Sequence, residues 1–261
     1  MTTPNPSSSP SPSPVLAGAP GDCCFTGVQH TGTPAGKSIS IAGVPTYISE
    51  PPPSPKSSGS TQNTKKIKIV LFFADVFGPF FLNNQLLQDY FAQHGFLVLG
   101  IDYFFGDAVQ LHTEPGFDRA VWIQNAREKA KPVVPKWLDA VREQYGSAAQ
   151  YFSVGYCFGA PFALDLATTD NVVASAFAHP AYLNEDHFAK TRRPLLMSCA
   201  ETDHTFPLSA RRRAEDLLVA AKATYHIQVF AGVAHGFAVR GDPAVEHERE
   251  QLLSFFRLSV G

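Results

Sequence analysis

The stretch YFSVGYCFGAPFALDLA, Tyr151 to Ala167, constrains this chain more than any other. An apolar run of strand composition ends in Gly155-Tyr156-Cys157-Phe158-Gly159 and passes directly into a segment of helical character. A strand that turns into a helix through Gly-x-nucleophile-x-Gly holds its central side chain on a sharp corner. The flanking glycines are needed because side chains there would collide with neighbouring strands. The corner also aims the N–H of Phe158 and the helix N-terminus at one spot, where an oxyanion and a thiolate both gain. Pro161 comes early enough to be tolerated in a first helical turn. Taken alone, the spacing leaves two readings open: Cys157 as the nucleophile of a hydrolase, or a core cysteine that sits between two glycines by chance.

Apolar runs alternate with amphipathic segments on both sides of this turn. IKIVLFF, FLVLGID, YFSVGY, VVASAFAH, PLLMSCA and YHIQVF read as strands. Helices are expected over NQLLQDYFAQHG, within Phe117 to Tyr145, and near Ala160 to Thr168, Leu208 to Lys222 and Pro243 to Leu258. The alternation predicts an α/β fold, a mostly parallel, doubly wound sheet with helices on both faces. KSISIAGVPTYISEPP predicts a short hairpin at the sheet edge, and PPPSPKSSGSTQNTKK a solvated loop. Residues 1–20, mostly Pro, Ser, Thr, Gly and Ala, predict a disordered tail ahead of a single domain over residues 21–261.

Composition excludes several partners. With 21 Lys and Arg against 23 Asp and Glu, the formal charge is −2, and no basic block could track a phosphate backbone, so no nucleic acid is expected. The opening has no secretory h-region and no apolar run reaches bilayer length, which predicts no membrane association and a cytoplasmic protein. Four cysteines are too few for a disulfide scaffold, so each is judged by its setting.

The order nucleophile, acid, histidine can be followed downstream of the turn. PLLMSCA leads into ETDHTFP, which places Asp203 after a strand, and YHIQVF leads into AGVAHGF, which places His235 after the next. Loops at the carboxyl ends of parallel strands open on one side of the sheet, so the three side chains can converge. His235 would then take the thiol proton, with Asp203 holding its ring and tautomer.

GYCFGA, ETDHTFP and AGVAHGF, with FFADVFGPF and FLVLGIDYFFGD, resemble the dienelactone hydrolase family, and GDCCFTGVQHTGTPAGK resembles its fungal branch. The resemblance runs from about Cys23 to the C-terminus and implies an α/β-hydrolase fold. It also implies a Cys157, His235, Asp203 triad and hydrolysis of a small ester or lactone through a thioester, without metal or organic cofactor. The oxyanion hole it implies is the backbone of Val76 with that of Phe158. Bacterial members carry a thiol-activating glutamate where this chain has Asp75, which either keeps that role or holds the loop. They also grip a substrate carboxylate with arginines. Here Phe104, Phe105 and Gly106 occupy one such place, and Arg240 is offset by one position at the other, which favours an apolar or aromatic neutral substrate. Phe77, His179 and Phe237 complete the candidate pocket, His179 being equally well a hydrogen-bonded structural residue.

Other residues read as structural. Cys199 lies in an apolar strand, Cys23 and Cys24 are too close in sequence to pair readily, and His204 faces solvent or the pocket rim. Asp102 ends a strand but precedes Cys157, which breaks the expected order. The nine His show no zinc-site spacing, and no metal is expected. Two other functions fit the same residues: a thioesterase or C–C bond hydrolase in a biosynthetic pathway, and a non-catalytic ligand-binding or redox-responsive protein. Substrate and oligomeric state are not legible.

Overall fold

The computed structural model of the chain describes residues 12–53 and 66–248. Eight strands form one sheet in the order β1-β2-β4-β3-β5-β6-β7-β8. The expected hairpin is β1 (Lys37–Ile41) and β2 (Val44–Ser49), antiparallel and at the sheet edge. β2 joins β4 (Leu97–Ile101) antiparallel, and all later pairings are parallel: β3 (Lys68–Phe73), β5 (Gln150–Cys157), β6 (Ala174–Pro180), β7 (Leu195–Thr202) and β8 (Tyr225–Ala234).

Both faces of the sheet are covered, and β3 shows why its run is apolar at every position from Ile69 to Phe73. Ile69, Leu71 and Phe73 enter one core cluster, while Val70 and Phe72 enter the other, as the two-residue period of a strand requires. The first cluster takes in Trp122, Ile123, Ala126, Ala130, Val134 and Trp137, a helical stripe of α2 (Arg119–Tyr145), together with α3 (Ala160–Ala167) and α5 (Leu208–Ala220). The second packs α1 (Leu82–Gln93) and the short α6 (Phe237–Arg240) on the opposite face. Asp118 caps α2 by accepting the N–H groups of Ala120 and Val121, and Gly146 ends it at a φ of 77°.

The expectation of a disordered tail is corrected for its last residues. Val15 bridges to Asn184, just before α4 (Glu185–Ala189), and Leu16 and Ala17 donate backbone hydrogen bonds to Leu183. Gly18 donates to Thr205 and accepts from Tyr182, while Leu16 and Ala17 are buried. Composition pointed to solvation, but Leu16 and Ala17 form one short apolar anchor whose backbone groups find partners, while the Val15 side chain stays exposed. The start of the tail, most of the loop after Ser49 and most of the helix expected from Pro243 lie outside the described residues.

Candidate active site

β5 delivers Cys157 to the corner as its glycines require. Cys157 has a φ of 47°, a left-handed conformation that costs a non-glycine residue roughly 1–3 kcal/mol. A Cβ on Gly159 would fall on the carbonyl oxygen of Phe73, and one on Gly155 would lie 2.5 Å from that of Gly159. The first clash is with a neighbouring strand, as expected; the second is with the turn itself. The N–H of Phe158 interacts favourably with the Cys157 sulfur.

Asp203 and His235 arrive from the two strand ends beyond. β8 runs to Ala234, longer than its sequence suggests, so His235 sits directly after the strand. His235 Nδ1 lies 2.9 Å and 3.0 Å from the two carboxylate oxygens of Asp203. Asp203 Oδ1 also accepts the N–H groups of Thr205 at 2.9 Å and Phe206 at 3.2 Å. The Thr205 hydroxyl stands 2.7 Å from Asp203 Oδ1, 2.7 Å from the Pro180 carbonyl and 3.0 Å from His235 Nδ1. Sequence reasoning passed over Thr205; the turn ETDHTFP carries the only hint of it. Burial opposes the Asp203 carboxylate, yet the His235 and Thr205 bonds hold its pKa below the ordinary value.

The larger surprise is Cys24, from a short 3-10 turn (Asp22–Phe25). Its sulfur, the Cys157 sulfur and a His235 nitrogen all lie within 4.8 Å of one another, and all three residues are buried. Asp203 occupies Nδ1, so Nε2, buried and without a hydrogen bond of normal geometry, is the nitrogen left to face the sulfurs. A hydrogen bond from Cys157, reinforced by attraction to His235 against the cost of burial, brings the Cys24 thiol down to about 4. Burial lowers the His235 pKa, but Asp203 and Cys24 outweigh it and raise the ring to about 9. Burial, and then the Cys24 charge, push Cys157 well above the ordinary thiol range. The favoured charge state is therefore Cys24 thiolate, His235 imidazolium and Cys157 thiol. The segment carrying Cys24 crosses the site, with Gly21 against the His204 ring and Phe25 under the Arg119 guanidinium, 5.1 Å from the ring centroid.

Asp75 was expected either at the thiol or as a loop holder, and Arg240 at the substrate; the structure pairs them with each other. Both side chains are buried. Asp75 Oδ1 also accepts from Asn84 at 2.9 Å and from the N–H of Phe77 at 3.2 Å, and Arg240 Nε donates to the Thr26 carbonyl at 2.9 Å. None of these partners is a thiol, so the Asp75 contacts are those of a loop holder. The Arg240 guanidinium also lies 4.6 Å from the Phe77 ring centroid. Val76 is buried in the turn that follows β3.

The aromatic wall is partly as expected. Phe104 is buried against Phe158, ring centroids 5.1 Å apart, and Phe237 packs beside His179 at 5.9 Å. Phe105 is corrected: it is 40% exposed, with Lys129 over its ring. Asp102 accepts the N–H groups of Phe104 and Gly106, which forces a tight turn where Phe105 takes a φ of 56° and its side chain leaves the pocket. Asp102 is thereby a turn residue, away from His235. His179 is buried with its ring 5.0 Å from that of His235, and neither of its ring nitrogens has a hydrogen-bond partner among the described residues. Burial and the neighbouring His235 keep it neutral. Half-buried Arg127, with its guanidinium 3.8 Å from the Tyr182 ring centroid, is a cation the sequence did not single out.

Cys24, Cys157 and His235 are also the one group among the described residues whose donor atoms converge closely enough to share a cation. Their interactions with one another and with Asp203 account for the cluster without one. Burial pushes the Cys199 thiol up to about 12, as befits a core residue. Among the described residues no helix is long and apolar enough to cross a membrane.

The dienelactone hydrolase family pattern matches residues 57–258. The chain is 34% identical over 235 residues to "Dienlactone hydrolase 1" of Gibberella moniliformis, covering 87% of this chain and 86% of the relative. It is 32% identical over 224 residues to "Hydrolase pyvD" of Aspergillus violaceofuscus, covering 85% and 87%. Among solved structures, a dienelactone hydrolase of Anabaena variabilis superimposes with a TM-score of 0.59 at 14% identity, over 88% of this chain and 96% of that one. A dienelactone hydrolase-like promiscuous phosphotriesterase from metagenomic libraries gives 0.61 at 17%, over 87% and 98%. The fold is the α/β-hydrolase fold.

Proposed function

Since this chain belongs to the dienelactone hydrolase family and is a hydrolase of esters or lactones, we propose that it works through a thioester on Cys157, with His235 and Asp203 completing the triad. The observation that carries this reading is the arrival of Cys157, Asp203 and His235 from the ends of three successive parallel pairings, with His235 Nδ1 bound to Asp203. Cys157 Sγ attacks the carbonyl carbon, and the developing oxyanion is held by the N–H groups of Phe158 and Val76. Collapse expels the alcohol, which in a lactone stays tethered as a hydroxyl, and water then cleaves the thioester.

The substrate is a small neutral ester or lactone. Phe104, Phe158 and Phe237 give apolar surface near the sulfur, and the charge of Arg240 is matched by Asp75. A substrate carboxylate would then meet no buried uncommitted cation among the described residues, and burying it unpaired costs several kcal/mol. Free thiols are kept reduced in the cytoplasm, which is compatible with a cytoplasmic site of action.

The test is a panel of p-nitrophenyl esters, neutral lactones and carboxylated lactones assayed on wild type and Cys157→Ala. Turnover of at least one class is expected in wild type and loss of it in the variant. Full turnover by Cys157→Ala refutes the reading.

A further inference from the structure

The simple triad has His235 draw the proton directly from Cys157. In this structure a second sulfur lies beside both groups. The short turn Asp22–Phe25 brings the Cys24 sulfur against the Cys157 sulfur and a nitrogen of His235. All three donor atoms lie within 4.8 Å, and His235 Nε2 has no other partner among the described residues. A buried thiol with no chemical task would sit among apolar side chains and stay protonated, as Cys199 does. Cys24 does not.

We propose that Cys24 is a second catalytic thiol, which takes the Cys157 proton during attack and returns it during deacylation, while His235 serves the leaving group and the water. The proposal rests on the reading of Cys157 as nucleophile. Its starting state is the favoured one, Cys24 thiolate, His235 imidazolium and neutral Cys157. As Cys157 Sγ bonds to the carbonyl carbon, its proton passes to the Cys24 sulfur and the carbonyl π pair moves onto oxygen. The pair returns, the C–O bond breaks, and the leaving alkoxide takes the Nε2 proton of His235. Neutral His235 then accepts a proton from water as that oxygen attacks the thioester. The C–S bond breaks, and the departing Cys157 sulfur recovers its proton from Cys24. The cycle ends in the starting charge state, and no oxidant, reductant or cation takes part. Base and acid for the first half-reaction are thus separate groups, set in their opposite protonation states by their mutual attraction.

Two measurements test the proposal. The first is ultraviolet thiolate absorbance at mildly acidic pH in wild type, Cys157→Ser and Cys24→Ser. The signal should persist in Cys157→Ser and vanish in Cys24→Ser; the reverse pattern would place the thiolate on Cys157 and overturn the proposal. The Cys157→Ser arm does not depend on how Cys24→Ser folds. The second is the steady-state kinetics of Cys24→Ser and Cys24→Ala, with melting temperature as the check on folding. A loss of roughly a hundredfold in kcat with KM little changed is expected for a missing proton acceptor. Wild-type kcat would overturn the proposal, and a raised kcat would make Cys24 a plug in the site instead. Cys157→Ala separates the two levels: if it stays active, the nucleophile is wrong; if it is inactive while Cys24→Ala is fully active, only the role of Cys24 fails.

Discussion

Arg240 and Asp75 form an ion pair whose two side chains are almost entirely shielded from solvent, 1% and 0% exposed. Removing one partner of such a pair leaves the other charge uncompensated and costs about 3–5 kcal/mol, whereas removing both costs much less. Arg240→Met should therefore lower stability strongly, and Asp75→Asn combined with Arg240→Met should recover part of the loss. Denaturant titration of Arg240→Met, Asp75→Asn and the double variant checks this; additive effects would show that the pair is uncoupled.

The same pairing bears on specificity. The ratio of kcat/KM for a neutral lactone to that for its carboxylated analogue should exceed one. Strong selectivity for the carboxylate would contradict the account, and its disappearance in Arg127→Ala would identify the half-buried cation near Tyr182 as the clamp.

Asp203 and Asp102 both follow strands, but only Asp203 reaches His235. Asp203→Asn should cut kcat by several orders of magnitude, because the amide supports the wrong tautomer. Asp102→Asn should leave kcat within a fewfold of wild type and act mainly on stability. The opposite ranking would reassign the acid.

Much of this was legible in the sequence, and the rest fails for identifiable reasons. The period of the apolar runs gave every parallel strand, and the order of Cys157, Asp203 and His235 located the strand ends that converge. Phe105 was misplaced because adjacent aromatic residues in a turn cannot be assigned to opposite sides from composition; the Asp102 hydrogen bonds decide it. Arg240 and Asp75 were assigned separate tasks because a buried pair far apart in sequence has no local signature. Cys24 was invisible for the same reason: it comes from a segment without regular periodicity, and only the fold carries it to Cys157.

The anchored end of the tail reverses the naive expectation for truncation. Deleting residues 1–20 removes the buried Leu16 and Ala17 and the hydrogen bonds to Leu183 and Thr205. Burial of one leucine contributes roughly 1.5–3 kcal/mol. A melting temperature lower by several degrees is expected, together with altered KM because the segment that follows, Gly21 to Phe25, crosses the site and loses its anchor. An unchanged melting curve would mean that the docking contributes nothing.

The pH profile follows from the charge state. Cys24 must be deprotonated, which fails as pH falls through about 4, and His235 must be protonated, which fails as pH rises through about 9. kcat/KM should be bell-shaped with limbs near those values, which belong to the coupled set. Asp203, Cys24, Cys157, His179 and His204 are the titratable groups that face the His235 ring. The His235 contribution to stability is complete below its ordinary value of 6.5 and lost as pH rises through about 9. In Cys24→Ser the basic limb should move to lower pH, since the ring loses one of its two supporting negative charges; an unmoved limb contradicts the coupling.

The central claim, that the acyl group is carried by Cys157, is tested most directly by acid-quenching the enzyme during turnover of a p-nitrophenyl ester and locating the adduct by peptide mass spectrometry. The account predicts a thioester on the peptide containing Cys157 and unmodified Cys24. An acyl group on Cys24, or an adduct that also forms in Cys157→Ala, would contradict it.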